Sequence, residues 1–183
     1  MDLETLKAQC GECTACGLSK TRHNVVFGEG NGNADVMFVG EGPGETEDLT
    51  GRPFVGKAGI LLDKMLLAAD IDREKVYIAN IVKCRPPKNR DPERAEEDAC
   101  IGHLRNQVRL IRPKLIVCLG RIAACRLISP DFKVTRQHGE VINKGNISFI
   151  GTYHPSALLR YPENKPAAFE DMMKVAAIYK KYI

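Results

Sequence analysis

The sequence lacks the long apolar runs that would place it in a membrane. None of its hydrophobic stretches approaches the roughly 18 residues of a membrane-spanning helix. Residues 1–7 mix charges and contain no apolar signal core, so we expect neither export nor organelle import. No internal repeat or Ser/Gly-rich linker divides the 183 residues, which predicts one domain over residues 1–183. We therefore expect a cytoplasmic protein with no membrane partner.

The composition also excludes several classes of protein. With 44% hydrophobic and 27% charged residues, the chain is neither disordered, collagen-like nor a coiled coil. Its net charge of +4 is modest but uneven. Residues 1–50 carry three basic and nine acidic side chains, whereas residues 83–144 carry fourteen basic and seven acidic. The second region is a candidate surface for a polyanion.

Four short runs of β-branched and apolar residues predict buried parallel strands. They cover residues 35–40, 76–82, 114–120 and 147–153. Helical patterns separate these runs, so the sequence predicts an α/β fold with a four-stranded parallel sheet and helices on both faces. In such sheets ligands bind beyond the carboxyl ends of the strands.

Three helices are predicted from their spacing and end signals. Apolar residues between Leu61 and Ala69 recur at intervals of three and four. A second helix begins with Asp91 as the N-cap and Pro92 in the first turn, and a third covers residues 166–182. The inner positions are expected to be Cys100, Leu104, Val108 and Ile111 in the second helix, and Phe169, Met172, Met173 and Ala176 in the third.

Glycine-rich loops follow the first strand, at residues 40–44 and 51–56. Such loops can direct several backbone N–H groups at one oxygen atom, although a plain tight turn is the alternative. The chain lacks the Gly-Lys-Ser/Thr of a nucleotide triphosphatase. Glu45 stands where a dinucleotide-binding fingerprint needs its third glycine.

Three side chains converge on the same rim of the predicted sheet. Asn80 lies in the second apolar strand, where its amide must find partners, and His154 follows the fourth strand. Phe54 belongs to the second glycine-rich loop. Each residue taken alone could be structural, but together they predict a site at the carboxyl ends of the strands.

The seven cysteines are many for a reducing compartment, which favours metal binding over disulfides. Cys118 and Cys125 fall in apolar surroundings and are predicted to be core residues. Four of the remaining five would complete a zinc site or a 4Fe–4S cluster. They are Cys10, Cys13, Cys16, Cys84 and Cys100. Spacing alone neither selects the metal nor decides between Cys10 and Cys16.

Several motifs occur in order over about residues 10–162. They are Cys13-Thr14-Ala15-Cys16, Gly40-Glu41-Gly42-Pro43-Gly44, Gly51-Arg52-Pro53-Phe54-Val55-Gly56, Asn80 to Pro87 with Asn89-Arg90, and His154-Pro155 with Leu158-Leu159-Arg160. This series resembles the family 4 uracil-DNA glycosylases. The resemblance implies uracil-containing DNA as the partner, in single- or double-stranded form, and a monomer that starts base excision repair.

The resemblance also implies a 4Fe–4S cluster. The family pattern places its ligands at Cys13, Cys16, Cys84 and Cys100, which leaves Cys10 as a spare thiol. Such a cluster would tie the N-terminal segment to the second strand and the helix after it.

The implied reaction is cleavage of the bond between uracil and deoxyribose after the nucleotide has been flipped out of the DNA. Phe54 would stack on the base, and Asn80 would read its edge by donating to O4 and accepting from N3–H. His154 would donate to O2 as negative charge develops there, helped by N–H groups of the loop from Gly40 to Gly44, with Gly42 among them.

The carboxylate in the reaction is less clearly implied. Glu41 is the first candidate for orienting water or stabilising the cationic sugar. Glu47 is the second, and it is also a candidate for blocking the methyl group of thymine. Both could instead be solvated loop charges.

The DNA backbone and the gap left by the flipped base need further residues. Leu158 would fill that gap as an apolar wedge, and packing against the last helix is its alternative. The predicted phosphate contacts are Lys83, Arg85, Lys88, Arg90 and Arg160, each of which could also be an ordinary surface charge.

Two other functions are compatible with parts of the sequence. A noncatalytic nucleic-acid-binding module stapled by zinc explains the cysteines and the basic stretch, but gives Phe54, Asn80 and His154 no common purpose. A relative that traps uracil DNA covalently carries an inserted basic loop with a histidine after the second strand. This chain runs from Lys83 to Pro92 without such an insert, so turnover is favoured.

Overall fold

The computed structural model describes residues 1–182, in which one mixed sheet of six strands forms the centre. In chain order the strands are β1 (Glu29–Gly30), β2 (Val36–Gly40), β3 (Tyr77–Asn80), β4 (Leu115–Leu119), β5 (Val141–Lys144) and β6 (Ile147–Thr152). Their spatial order is β1-β3-β2-β4-β6-β5. The four central strands are parallel, and β1 and β5 are antiparallel to their neighbours.

The four predicted strands are the four parallel ones, so the α/β prediction is confirmed. The expectation of four strands in total is wrong, because β1 and β5 extend the sheet at its two edges. β1 has only two residues, and β5 is mostly exposed, so neither has the apolar pattern that marks a buried strand.

Helices cover both faces of the sheet. They are α1 (Leu3–Gly11), α2 (Glu45–Thr50), α3 (Lys57–Ala68), α4 (Arg94–Ile111), α5 (Arg121–Leu127), α6 (Val134–Gln137), α7 (Pro155–Arg160) and α8 (Lys165–Tyr179). Short 3-10 turns lie at Gly17–Lys20, Arg73–Lys75, Pro87–Asn89 and Pro162–Asn164. None of the helices in residues 1–182 has the length and apolar character needed to span a bilayer.

Alternation along β2 shows how the two faces differ. Met37 and Val39 pack in the core that α4 and α5 cover, whereas Val36 and Phe38 pack in the core beneath α3, α7 and α8. All four side chains are fully buried. The sheet is therefore enclosed on both sides, which leaves its carboxyl edge as the open place for a site.

Helix α4 begins two residues later than predicted. Its N-cap is Glu93, which forms a capping box with Glu96, and the Glu96 side chain also accepts from the Glu93 backbone N–H at 2.8 Å. Asp91 instead forms an ion pair with Arg121. The inner face is as predicted, with Cys100, Leu104 and Ile111 buried and Val108 packed against them.

Helix α8 differs from its prediction in the face it buries. Met172 and Ala176 are buried as expected, but Phe169 and Met173 are each 46% exposed. Ala168 and Val175 are buried in addition, so the apolar face of the helix is rotated toward them. Phe169 and Met173 therefore lie at the edge of that face. The helix also ends at Tyr179 rather than at residue 182.

Candidate active site and cysteine-lined cavity

A cavity of about 220 Å³ opens at the carboxyl ends of β2 and β3. Seven of the predicted site residues line this cavity: Glu41, Gly42, Glu47, Phe54, Asn80, Arg90 and His154. The other lining residues are Pro43, Gly44, Ala58, Pro86, Asn89 and Ser156. The convergence predicted for Phe54, Asn80 and His154 is therefore present. Sequence reasoning did not assign roles to Pro86, Asn89 or Ser156, although all three lie within the motifs that carried the resemblance.

Asn80 is the last residue of β3, and its side chain is 1% exposed. Its Oδ1 atom is buried and has no hydrogen-bond partner among residues 1–182. A buried acceptor of this kind costs free energy unless a donor reaches it. Because Asn80 lines the cavity, a ligand with an N–H group is the partner that this acceptor fits.

Phe54 forms one wall of the cavity, and its placement depends on two glycines. Its backbone has a φ of 51°, an uncommon conformation for an aromatic residue. A Cβ atom on Gly59 would lie 2.0 Å from the Phe54 carbonyl, and one on Gly40 would lie 2.5 Å from the Phe54 ring and 2.6 Å from Asn80 Oδ1. Gly40 is thus needed because a side chain at this position would separate Phe54 from Asn80.

His154 caps α7, and this contact fixes its tautomer. The backbone N–H of Ser156 donates to Nδ1 at 3.0 Å, so the neutral ring carries its proton on Nε2. Burial, and after it the positive charge of Arg160, lower the pKa of His154 to about 4. The imidazole is therefore neutral at physiological pH and offers one N–H donor. Its ring centroid lies 5.6 Å from that of Phe54.

Glu47 holds the loop that carries Phe54. One carboxylate oxygen, Oε1, accepts from the backbone N–H groups of Val55 at 3.0 Å and Gly56 at 2.9 Å. Gly56 is the N-cap of α3, so the carboxylate joins α2 to the start of α3. These contacts give Glu47 a positioning role beside the cavity. Its predicted roles toward water and the thymine methyl group stay predictions.

Glu41 is the carboxylate with the most altered chemistry. Burial is the main cause that raises the pKa of Glu41 to about 7; the nearby Asp91 carboxylate contributes to this rise, whereas Arg121 and Arg160 oppose it. A carboxyl group with a pKa near neutrality can accept a proton from water more readily than an ordinary glutamate. The alternative of a plain solvated loop charge does not fit this burial.

The predicted phosphate contacts fall into different environments. Lys83 is 1% exposed and its Nζ donates to Asn80 O at 3.0 Å and to Gln107 Oε1 at 2.7 Å, so the prediction that it contacts a phosphate is wrong. Burial lowers its pKa to about 8. A fully enclosed ammonium cannot reach DNA, and no local pattern in the sequence indicates the contact between Lys83 and Gln107.

The remaining cations are more accessible. Arg90 donates from both Nη atoms to Glu96, at 2.9 and 2.7 Å, and still lines the cavity. Arg85 Nε donates to Asn89 Oδ1 at 2.7 Å. Lys88 and Arg160 are exposed. These four positions stay predictions for phosphate contacts, and Arg160 and Lys88 have the most freedom to make them.

Leu158 does not have the exposure that a wedge needs. It is 1% exposed and packs in the core beneath α3 and α8, so the packing alternative holds. The next residue, Leu159, is 46% exposed. Adjacent helical residues point about 100° apart, and the sequence Leu-Leu does not reveal which of the two faces the core.

A second, larger cavity of about 610 Å³ adjoins the first. Glu41, His154 and Ser156 border both cavities. The larger one also brings together the exposed side chains of Arg121, Lys133, Arg160 and Tyr161. Of these only Arg160 was predicted, because the segments that carry the others are far apart in sequence and only the fold joins them.

Five cysteines line a separate cavity between the N-terminal segment, the end of β3 and α4. They are Cys10, Cys13, Cys16, Cys84 and Cys100. Two N–H groups point at sulfur atoms there: Arg22 Nη1 lies 3.4 Å from Cys84 Sγ, and the Lys83 backbone N lies 3.2 Å from Cys100 Sγ. Cys118 is fully buried in the core as predicted, and Cys125 is partly buried against it.

The cysteine-lined cavity fits an iron–sulfur cluster. A 4Fe–4S cluster binds one thiolate at each of its four irons, and five cysteine side chains line this cavity. In residues 1–182 no three His, Cys, Asp or Glu side chains form a group that could hold a metal ion. N–H groups directed at the sulfurs are also a usual feature of such sites.

Comparisons with known proteins agree with the site. The model of the uracil DNA glycosylase superfamily matches residues 27–177. A type-4 uracil-DNA glycosylase of Thermotoga maritima is 45% identical, with 98% of this chain and 95% of the relative covered. One from Archaeoglobus fulgidus is 41% identical, with coverage of 98% and 94%. A type-5 enzyme of Pyrobaculum aerophilum is 36% identical over 70% of this chain and 64% of its own length. The chain belongs to the uracil DNA glycosylase superfamily, and within it to the type-4 family.

Proposed function

We propose that this protein is a monofunctional DNA glycosylase that flips deoxyuridine out of DNA and hydrolyses its N-glycosidic bond. The observation that carries the proposal is the unpartnered, buried Oδ1 of Asn80 in a cavity that Phe54 and the neutral His154 also line. Uracil offers N3–H to this oxygen and a flat ring to Phe54. Cytosine has an acceptor at its N3 position, so the same amide rejects it.

His154 acts on the leaving base. When the bond between N1 of uracil and C1′ of the sugar breaks, the bonding electrons move to the base and negative charge develops on O2. The Nε2–H of a neutral imidazole donates to that oxygen, and backbone N–H groups of the loop at Gly40 and Gly42 add to the stabilisation. Because the proton stays on Nε2, uracil leaves as an anion and takes its proton from solvent.

Glu41 acts on the other reactant. The C1′ atom becomes positively charged as the base departs, and water then adds to it. A carboxylate at Glu41 stabilises that charge and accepts the proton of the attacking water. Glu47 supports the site by fixing the Phe54 loop.

The Glu41 proposal predicts a pH dependence. A raised pKa means that the active carboxylate forms as the pH rises through about 7, so kcat/KM should rise through the same range. Glu41→Gln should lower kcat/KM about 100-fold and remove this rising limb. Steady-state rates between pH 5 and 9 measure both effects. Glu45→Gln, an exposed change in the next turn, is the control, and an unchanged profile in Glu41→Gln would assign the proton acceptor elsewhere.

The same proposal gives the cysteine cavity a structural role. Cys13, Cys16, Cys84 and Cys100 are the residues that would hold a 4Fe–4S cluster, and Cys10 lies beside them. The cluster, when bound, supplies a covalent connection between the N-terminal segment, the end of β3 and α4. Iron and acid-labile sulfide in the purified protein test this assignment, and stoichiometric zinc in their place would overturn it.

The larger cavity is the proposed path of the DNA strand beside the flipped nucleotide. Its exposed Arg160 and Lys133 would contact phosphates, and the exposed ring of Tyr161 would stack on a neighbouring base. Leu159, rather than Leu158, is the exposed apolar side chain available to fill the gap in a duplex.

A phosphate contact at Arg160 predicts a change in salt dependence. Arg160→Ala should reduce the slope of log affinity against log salt by about 0.9 on duplex DNA and about 0.7 on a single strand, whatever the flanking sequence. Fluorescence anisotropy at several salt concentrations measures the slope. Lys180→Ala, at an exposed cation outside both cavities, should leave it unchanged. Equal slopes in the two variants would exclude Arg160 from the interface.

The direct test of the proposed function uses an oligonucleotide with a single deoxyuridine, with matched thymine and cytosine strands as controls. We expect free uracil and an alkali-sensitive abasic site on the uracil strand alone. Absence of release from iron-replete protein would overturn the proposal. A DNA adduct that survives denaturation would indicate covalent trapping in its place.

A further inference from the structure

The enclosed side chain of Lys83 lies between the two sites. Its Nζ donates to the carbonyl oxygen of Asn80 at 3.0 Å, and its backbone N–H donates to Cys100 Sγ at 3.2 Å. The same residue borders the cysteine cavity. Within the five residues from Asn80 to Cys84, the chain therefore passes from the base-reading amide to a proposed cluster ligand. Lys83 contacts Asn80 and a second proposed ligand, Cys100.

The charge of Lys83 lacks an ordinary counter-ion. Its two hydrogen-bond acceptors, Asn80 O and Gln107 Oε1, are neutral, and the Phe27 ring centroid lies 6.0 Å from Nζ. A buried cation requires a nearby negative charge to offset its lost hydration. The ammonium of Lys83 is thus held by neutral oxygen acceptors, one of which belongs to the residue that ends β3.

Lys83 is held rigidly from the side opposite Asn80. Gln107 is fully buried, and its Nε2 donates to Phe27 O at 2.8 Å and to the Tyr77 hydroxyl at 3.2 Å. Its Oε1 is thereby directed at Lys83. Because Gln107 is fixed by Phe27 and by Tyr77 at the start of β3, the ammonium transmits a defined position to the Asn80 carbonyl.

We propose that Lys83 is a positioning residue for uracil recognition, which holds the end of β3 at Asn80 through its ammonium and connects it to the cysteine cavity through its backbone N–H on Cys100 Sγ. The inference rests on the proposed function and extends it, because it gives the cluster site a physical connection to base reading. The next residues of the strand end reinforce this connection. Ile81 N donates to Gly40 O at 2.9 Å, and Val82 N donates to Glu41 O at 3.1 Å.

The test compares Lys83→Met with Lys20→Met in the cluster-containing protein. Both changes remove one ammonium from the neighbourhood of the cysteines, but Lys20 is exposed. Three quantities are measured: iron and sulfide per chain, the reduction potential of the cluster, and the dissociation constant for free uracil. For Lys83→Met we expect a more negative potential, because a nearby positive charge is lost, and uracil binding about tenfold weaker. Lys20→Met should change neither. Full iron content with both quantities unchanged in Lys83→Met would overturn the inference.

A second measurement decides the matter if Lys83→Met does not fold or loses iron. Coupling between two sites is reciprocal, so saturating uracil should shift the cluster potential of the unaltered protein. Asn80→Ala should show no such shift at the same uracil concentration. Absence of a shift in an unaltered protein that releases uracil would overturn the role of Lys83 alone. Absence of both the cluster and uracil release would overturn the proposed function itself.

Discussion

Replacing Asn80 with alanine should lower kcat/KM for uracil release by about a thousandfold while the fold stays intact. The side chain is 1% exposed at the end of β3, and its Oδ1 has no partner in the described part of the chain, so both of its expected hydrogen bonds go to the base. Single-turnover rates on the deoxyuridine oligonucleotide measure the loss, and circular dichroism checks the fold.

The matched control is Asn33→Ala, which removes an exposed asparagine before β2. It should leave the rate within about twofold, since surface substitutions of this kind have small effects. Retention of more than a tenth of the original rate in Asn80→Ala would mean that another group reads the base. The discrimination between uracil and cytosine should then also survive, which the same oligonucleotides would reveal.

Replacing His154 with alanine should lower kcat by about 100- to 1000-fold with a smaller effect on KM, because its N–H donor matters most when charge has developed on O2. Ser156→Ala is the informative companion. It removes the hydroxyl that lies 2.7 Å from Nδ1 but keeps the backbone N–H that fixes the tautomer, so a loss of only a few-fold is expected.

The pH dependence of the rate shows whether His154 acts as a neutral hydrogen-bond donor or as a protonated acid. With the pKa of His154 lowered to about 4, the imidazole is neutral from pH 5 upward, so no part of the rate profile above pH 5 should belong to it. The rising limb assigned to Glu41 should therefore persist in His154→Ala at the lower rate. A kcat in the unaltered protein that falls as the pH rises from 5 to 7, and loses this fall in His154→Ala, would instead identify an imidazolium acid.

The parts of the site that follow directly from strand ends were predictable. Asn80 and His154 each follow or end an apolar run, and parallel strands bring such positions to one edge regardless of their distance along the chain. Phe54 was also predictable as a site residue, because the glycines around it indicate that the backbone there approaches other groups closely. The motifs of the type-4 family then gave these residues a common chemistry.

The errors concern contacts that no local pattern encodes. Lys83 lies in a run of basic residues, which is typical of a surface, and its burial depends on Gln107, 24 residues further along the chain. Leu158 and Leu159 are the same residue type one position apart, and only the direction of α7 decides between them. The edge strands β1 and β5 were missed because one is too short and the other too exposed to carry a pattern.

The unpartnered Oδ1 atom of Asn80 also affects which substitutions a selection for stability would favour. A buried oxygen without a donor destabilises the folded state by about 1–3 kcal/mol until a ligand donates a hydrogen bond to it. The amide proposed to discriminate between bases is therefore at a position where stability alone would favour an apolar side chain. If random variants of the protein are screened for heat resistance alone, substitutions at Asn80 should accumulate. The stabilised variants should have no activity on DNA.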